Sequence, residues 1–261
     1  MIPHVDLRLQ ECSAEVWLND FPILRLAAED TPKFATMPVA EYVRRGENTL
    51  TVVPFPGDTP GTSRQPQPVA ALPGAQLEAS LVFYEEGDFP GSGAGRTEIA
   101  MRFGAGARPL SPRAASETRS LALPILPWAW ESATPWASQP AAQQQLGNVA
   151  GALHDAFAKC NADFFLAFGR LYFEEYARAY PGMSPQRREQ RFRAGFAGSP
   201  GEPPWAIKPL DPASFDFRAC AGGRLLELVD RQFRPILWAE STHYPLAVMI
   251  GVVDGRIQML R

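Results

Sequence analysis

The chain has 261 residues, of which 46% are hydrophobic and 20% charged, a composition typical of a folded globular protein rather than a disordered one. Its net charge of -3 predicts no general electrostatic attraction to nucleic acid or to an anionic membrane. We therefore expect neither class of partner, and the length allows two modest domains.

The hydrophobic spacing changes once along the chain, between Ala133 and Gln145. Before this point apolar residues alternate with polar ones in short runs broken by Pro, Gly and Asn, which is typical of strands. After it they recur every three or four residues, as in helices, and then return to short strand-like runs. We predict two domains, 1–135 and 136–261, and an α+β fold class.

The first domain is predicted to be an antiparallel β-sandwich. Val5, Leu7 and Leu9 alternate with polar neighbours, which places one face of a strand on a core and the other in water. Further strands are expected at 77–84 and 97–103.

Three segments of this domain have a different composition. Residues 58–73 are rich in Pro, Gly, Gln and Ser, which predicts a long exposed loop. The glycine-rich segment 85–95 lacks the Lys-Ser or Lys-Thr of a phosphate loop, so a flexible hairpin is expected there. The Pro-containing segment 121–130 is predicted to be an edge strand.

One pattern in the first domain resembles the jelly-roll sandwiches of the galactose-binding-like class. In that class a strand ends in a turn and is followed by an apolar residue and then Gly-x-Asn-x-Leu-x-Val. The resemblance implies a fold, in which these residues set a turn and a strand register, and it leaves a carbohydrate-binding module as an alternative function. The matching residues are Val16, Leu18, Asn19, Asp20, Val43, Gly46, Asn48, Leu50 and Val52.

The second domain is predicted to contain two or three helices followed by an antiparallel sheet. Asn161–Asp163 is expected to separate the first two helices, and Ser184 followed by Pro185 predicts the start of a third. Strands are expected at the end of the chain, with Asp254-Gly255 as a hairpin turn. The apolar positions of the first two helices are Val149, Leu153, Phe157, Cys160, Phe164, Phe168 and Leu171.

This order of elements resembles the cone-shaped nuclear-transport-factor-like fold, in which a curved antiparallel sheet wraps long helices around a pocket. The segments 153–165 and 252–257 carry the similarity. In enzymes of that class an Asp or His inside the cavity often acts as a general base. His154 and Asp155 are the candidates here, and the corresponding alternative function is a small-molecule isomerase or hydrolase.

Other chemistry receives little support from the sequence. His4 and His243 lack the i, i+4 partner of a helical metal pair, so we expect no metal site and no cofactor. Cys12, Cys160 and Cys220 are odd in number and embedded in apolar patterns, which predicts reduced core thiols.

Two groups of residues are candidates for binding another protein, because Trp and Arg dominate protein interfaces. Trp128, Trp130 and Trp136 lie within nine residues of one another, although domain packing explains such crowding equally well. Arg187, Arg188 and Arg191 are expected on one face of the third helix, where a solvated surface is the alternative.

The absence of a catalytic motif and the acidic balance favour a protein that works by binding another protein. In general character the chain resembles bacterial immunity proteins, which neutralise a cognate toxin, so a toxin domain is the expected partner. The first residues lack a basic segment followed by an apolar one, which predicts a cytoplasmic location. The sequence leaves the oligomeric state open.

Overall fold

The computed structural model describes residues 1–27, 31–54, 74–104, 106–111, 113–125, 127–182, 184–197, 207, 210–211, 215–230, 235–239 and 244–261. The predicted loop 58–73 and His243 lie outside these residues. The α+β class with antiparallel sheets is confirmed. The chain divides into two compact units, Met1–Pro127 (unit 1) and Trp128–Arg261 (unit 2), so the division lies ahead of the predicted boundary at 135.

Eight strands lie among the described residues of unit 1. They form two antiparallel four-stranded sheets, a first sheet of order β4-β1-β6-β7 and a second of order β3-β2-β5-β8. The strands are β1 (Ile2–Gln10), β2 (Ala14–Leu18), β3 (Phe21–Leu26), β4 (Lys33–Pro38), β5 (Gly46–Pro54), β6 (Gln76–Tyr84), β7 (Arg96–Phe103) and β8 (Ala115–Leu121).

The alternation in the sequence determines which face of each sheet is buried. Val5 and Leu7 of β1 are fully buried, as are Val16 of β2 and Val52 of β5. The even-numbered residues of β1 therefore lie on the opposite side of the first sheet, which we call its outer face.

The predicted edge strand over 121–130 is wrong. The strand is β8, which ends at Leu121 and pairs with β5 through polar residues. The Thr49 and Thr118 hydroxyls lie 2.8 Å apart across this pair. The sequence after Leu121 contains Pro124 and Pro127, which lack the N–H that a ladder requires.

A buried amide, Asn48, joins three segments of unit 1. Its Nδ2 donates to the carbonyls of Arg44 (2.7 Å) and Gly46 (2.9 Å). Its Oδ1 accepts from Asn19 Nδ2 and from the Arg44 N–H, each at 2.9 Å. Asn19 and Asp20 occupy positive φ values of 50° and 71° in the turn between β2 and β3, a conformation that these two residue types tolerate. These contacts fix the turn against the start of β5.

Unit 2 begins with helices. The described ones are α1 (Ala129–Ser132), α2 (Pro140–Gln143), α3 (Leu146–Ala158), α4 (Ala162–Phe168), α5 (Arg170–Ala179) and α6 (Pro185–Ala197). Asn161 caps α4 by accepting a hydrogen bond from the Phe164 N–H at 3.1 Å, which confirms the predicted break. A further break, at Gly169 between α4 and α5, was not predicted. Glycine fits there because a Cβ would come within 2.1 Å of Met259 Cε.

The strands of unit 2 are β9 (Phe215–Cys220), β10 (Leu225–Asp230), β11 (Leu237–Ala239), β12 (Tyr244–Leu246), β13 (Met249–Val253) and β14 (Arg256–Met259). They form an antiparallel sheet of order β14-β13-β10-β9 and a separate β11-β12 pair. Asp254 and Gly255 have positive φ values and connect β13 to β14, which confirms the predicted hairpin. Phe157 and Phe165 pack with Ile250 and Val252 in the core of this unit.

Among the described residues, no helix combines the length and apolar character that crossing a bilayer requires.

Candidate functional site

The outer face of the first sheet carries polar side chains that antiparallel pairing places side by side. Asp6 and Arg8 of β1 lie opposite Ser80 and Glu78 of β6. Glu78 in turn lies opposite Arg102 of β7. Residues directly opposite on one face are near enough to interact, so this face combines two acidic and two basic groups with hydroxyls.

The β6–β7 loop covers part of this face and is held there by two hydrogen bonds of Gly91. The Gly91 N–H donates to Tyr84 Oη at 2.8 Å, and the Gly91 carbonyl accepts from Arg8 Nη2 at 2.8 Å. Tyr84 Oη donates to Asp6 Oδ2 at 2.5 Å. The loop, the tyrosine and β1 therefore form one connected network.

Glycines allow the loop to lie this close to the sheet. A Cβ at Gly91, whose φ is 84°, would come within 2.5 Å of the Phe34 ring. At Gly95 it would come within 2.4 Å of Val82. The backbone of the glycine-rich segment, which was predicted as a hairpin, therefore lies directly over the outer face. Any larger residue at these two positions would collide with side chains of β4 or β6.

Two adjoining cavities lie on this face. The smaller has a volume of about 170 Å³ and lies between the sheet and the glycine loop; we call it the glycine-loop cavity. The larger, of about 480 Å³, is a groove at the end of the sheet. Arg8, Glu78 and Arg102 line both. The glycine-loop cavity is also lined by Asp6, Ser80, Val82, Tyr84, Gly91, Gly93, Gly95 and Thr97.

Some of the charged groups around the glycine-loop cavity have an ion-pair partner among the described residues, and others do not. Arg102 Nη2 and Glu78 Oε1 form an ion pair at 2.9 Å. Asp6 is only 7% exposed, and within the described part of the chain it has no ion pair and its Oδ1 has no hydrogen-bond partner. Burial and the hydrogen bond to Asp6 raise the pKa of Tyr84, which keeps the phenol protonated and able to donate to that carboxylate.

The three predicted tryptophans all lie inside unit 2. Trp128, Trp130 and Trp136 are 2%, 3% and 4% exposed, so their indoles have almost no surface to offer a partner. The Arg178 guanidinium lies 4.5 Å and that of Arg261 5.6 Å from the centre of the Trp128 ring. The burial of these three side chains supports packing, which was the alternative role expected from the sequence.

Glu175 is the acidic group of this tryptophan cluster. Its Oε1 accepts from the Ala129 N–H at 2.5 Å, and its Oε2 accepts from Arg261 Nη1 at 2.8 Å. Both Glu175 and Arg261 are buried. The pair therefore links the start of α1, the middle of α5 and the segment that follows β14.

The predicted arginine face on α6 is wrong, because Arg188 does not share the exposed surface of Arg187 and Arg191. Arg188 is 7% exposed and lies one and two turns before Phe192 and Phe196, on the side of α6 that faces the core. Its Cζ lies 5.6 Å from the centre of the Tyr176 ring. Its Nε, Nη1 and Nη2 have no hydrogen-bond partner among the residues that the structure describes.

We expect the substitution Arg188→Met to raise the free energy of unfolding by about 1–3 kcal/mol, because it replaces a buried unpaired charge with an apolar chain of similar length. Urea unfolding of the full chain would measure the change. The exposed neighbour provides the control, since Arg187→Met should change the value by less than about 0.5 kcal/mol. A loss of stability in Arg188→Met would contradict an unpaired guanidinium.

The two candidate general bases, His154 and Asp155, do not share one site. His154 is buried on the core side of α3, whereas Asp155, the next residue, is exposed. Neither lines the glycine-loop cavity or the adjoining groove. Cys12 and Cys220 are buried and Cys160 is half-buried, and none of these three cysteines forms a disulfide in the structure. Among the described residues, no group of three or more His, Cys, Asp or Glu side chains could hold a metal ion.

Sequence reasoning missed the outer-face residues. Asp6, Arg8, Glu78, Ser80 and Tyr84 lie on strands that it identified, but it used those strands only to find the core. The alternation that buries Val5 and Leu7 also places Asp6 and Arg8 together on the other face, and this was the available signal.

Comparison of the chain with models of protein families, with curated protein sequences and with solved structures finds no match.

Proposed function

We propose that this chain is a non-enzymatic binding protein, and that it binds another protein through the outer face of the first sheet. The observation that carries the proposal is the exposure of large apolar side chains on this face and on the loop that covers part of it. Phe89 on the β6–β7 loop is 80% exposed, Phe34 of β4 is 41% exposed and Ile2 of β1 is 37% exposed. The Phe34 ring lies next to Gly91 of this loop, two residues from Phe89, and exposed apolar side chains on neighbouring segments are typical of interfaces.

Charged groups beside these aromatics support the same proposal. The Arg8 guanidinium lies 4.8 Å from the centre of the Phe34 ring, and the groove at the end of the sheet is next to both. Aromatic and arginine side chains contribute most of the binding energy in protein interfaces, particularly beside a pocket that a partner can fill.

The partner we propose is a toxin domain that this chain neutralises as an immunity protein in the cytoplasm. Within this proposal unit 1 is a jelly-roll sandwich that presents the binding face. Unit 2 is a cone-like domain of the nuclear-transport-factor type. Neutralisation by coverage needs no catalytic group, which agrees with a face that presents exposed apolar side chains beside charged groups.

Native co-purification of the tagged full chain from a lysate of its source organism, followed by mass spectrometry, tests this function. We expect a toxin-domain protein to be retained, and its Kd to rise at least about tenfold in Phe89→Ala and in Phe34→Ala. Trp238→Ala is the matched control, because Trp238 is an exposed aromatic of unit 2 at 39% exposure. A retained partner that is unaffected by the two Phe substitutions would exclude the proposed face.

A further inference from the structure

Two charged groups of opposite sign line the glycine-loop cavity without an ion pair to any described residue. Asp6 is buried, and only its Oδ2 is used, by the Tyr84 hydroxyl. Arg8 donates one hydrogen bond, to the Gly91 carbonyl, and no ion pair is found for it within the described part of the chain. A guanidinium has five N–H donors, so Arg8 has donors left for an anion.

The other charges of the lining compensate each other. Glu78 and Arg102 form an ion pair across β6 and β7, at 2.9 Å between Oε1 and Nη2. The charge left for a ligand to satisfy is therefore one carboxylate and one guanidinium, on neighbouring outward positions of β1. A ligand that carries only a positive charge is repelled by Arg8, and a ligand that carries only a negative charge is repelled by Asp6.

We propose that the glycine-loop cavity binds a small α-amino acid in its zwitterionic form. The ammonium group pairs with the Asp6 carboxylate, and the ligand's carboxylate accepts hydrogen bonds from the Arg8 guanidinium, which can donate two parallel N–H bonds to a carboxylate. Ser80, which lies opposite Asp6, supplies a hydroxyl to the same cavity.

The size and walls of the cavity limit the ligand. A volume of about 170 Å³ suits a molecule with few heavy atoms. Gly91, Gly93 and Gly95 form one wall with backbone alone, so an amino acid with a short side chain can lie close to it. An internal residue of a peptide has neither the free ammonium nor the free carboxylate, which separates this ligand from the protein partner proposed above.

Isothermal titration calorimetry of the full chain with glycine, alanine and serine tests the proposal. We expect at least one of them to bind at least about tenfold more tightly than glycinamide and N-acetylglycine, each of which retains only one of the two charges. Glycerol and glucose serve as neutral polar ligands. The proposal is overturned if the singly charged or neutral compounds bind as well, or if no amino acid binds at about 10 mM.

Substitutions of Asp6 and Arg8 test whether any binding that is measured takes place in this cavity. Asp6→Asn and Arg8→Gln should each weaken binding at least about tenfold. The matched controls are Asp216→Asn and Arg113→Gln, which change exposed residues outside the cavity. Arg8 is exposed, so Arg8→Gln tests the site even if Asp6→Asn fails to fold; unchanged affinity in Arg8→Gln contradicts the proposal. No protein partner enters these measurements, so this proposal and the binding function can fail separately.

Discussion

Replacing Asn48 with Ala should lower the free energy of unfolding of unit 1 by about 3–4 kcal/mol. Asn48 is fully buried, and its amide makes hydrogen bonds to Arg44, Gly46 and Asn19. Alanine removes both the donor and the acceptor. The buried groups that remain then lose partners, and each one costs about 1–3 kcal/mol if water does not replace the amide.

Urea unfolding followed by far-UV circular dichroism would measure this loss. Thr118→Ala is a useful control, because it removes a hydrogen bond of similar length, 2.8 Å to Thr49, on the exposed side of the same unit. Water can replace that contact, so the control should lose less than about 1 kcal/mol. Equal losses in the two variants would show that Asn48 does not join the turn to β5 in solution.

Replacing Glu175 with Ala should destabilise unit 2 by about 3–5 kcal/mol, the range found when one partner of a buried ion pair is removed. The substitution removes the Glu175 carboxylate from the buried guanidinium of Arg261 and from the Ala129 N–H. Trp128 lies beside this guanidinium, so its fluorescence should change in the folded state as well.

The adjacent residue provides a matched control for this second prediction. Glu174 is 60% exposed, and its ion pair with Arg170 is 3.9 Å long. Exposed pairs of this kind contribute between zero and about 1 kcal/mol, so Glu174→Ala should have little effect. If the two alanine variants unfolded at the same urea concentration, the buried pair would not be a major support of this unit.

The alternating and helical periods were sufficient to predict much of the architecture. Val5, Leu7 and Leu9 identified β1, and Asn161 and Ser184 marked the starts of two helices, because capping and alternation are local effects. Segment 121–130 was assigned wrongly, since its apolar residues resemble a strand although its prolines prevent one. The polar strand β8 was missed because its pairing with β5 is non-local.

The candidate site depended on contacts that local patterns do not contain. Asp6 and Tyr84 are 78 residues apart and meet only because β1 pairs with β6. Arg188 looked like part of a solvated cluster, since its charge predicts exposure, yet it follows the core phase of Phe192 and Phe196. The tryptophans were identified as an unusual group, but their burial depends on the tertiary packing of unit 2, which local spacing does not contain.

The position of β1 inside the first sheet has a consequence for biosynthesis. β1 leaves the ribosome before both of its neighbours in the sheet, β4 and β6, and β6 is complete only at Tyr84. Until that strand has been translated, one hydrogen-bonding edge of β1 remains open to other nascent chains. Chaperone protection during this interval should therefore matter more for the yield of the protein than the final stability of the sheet.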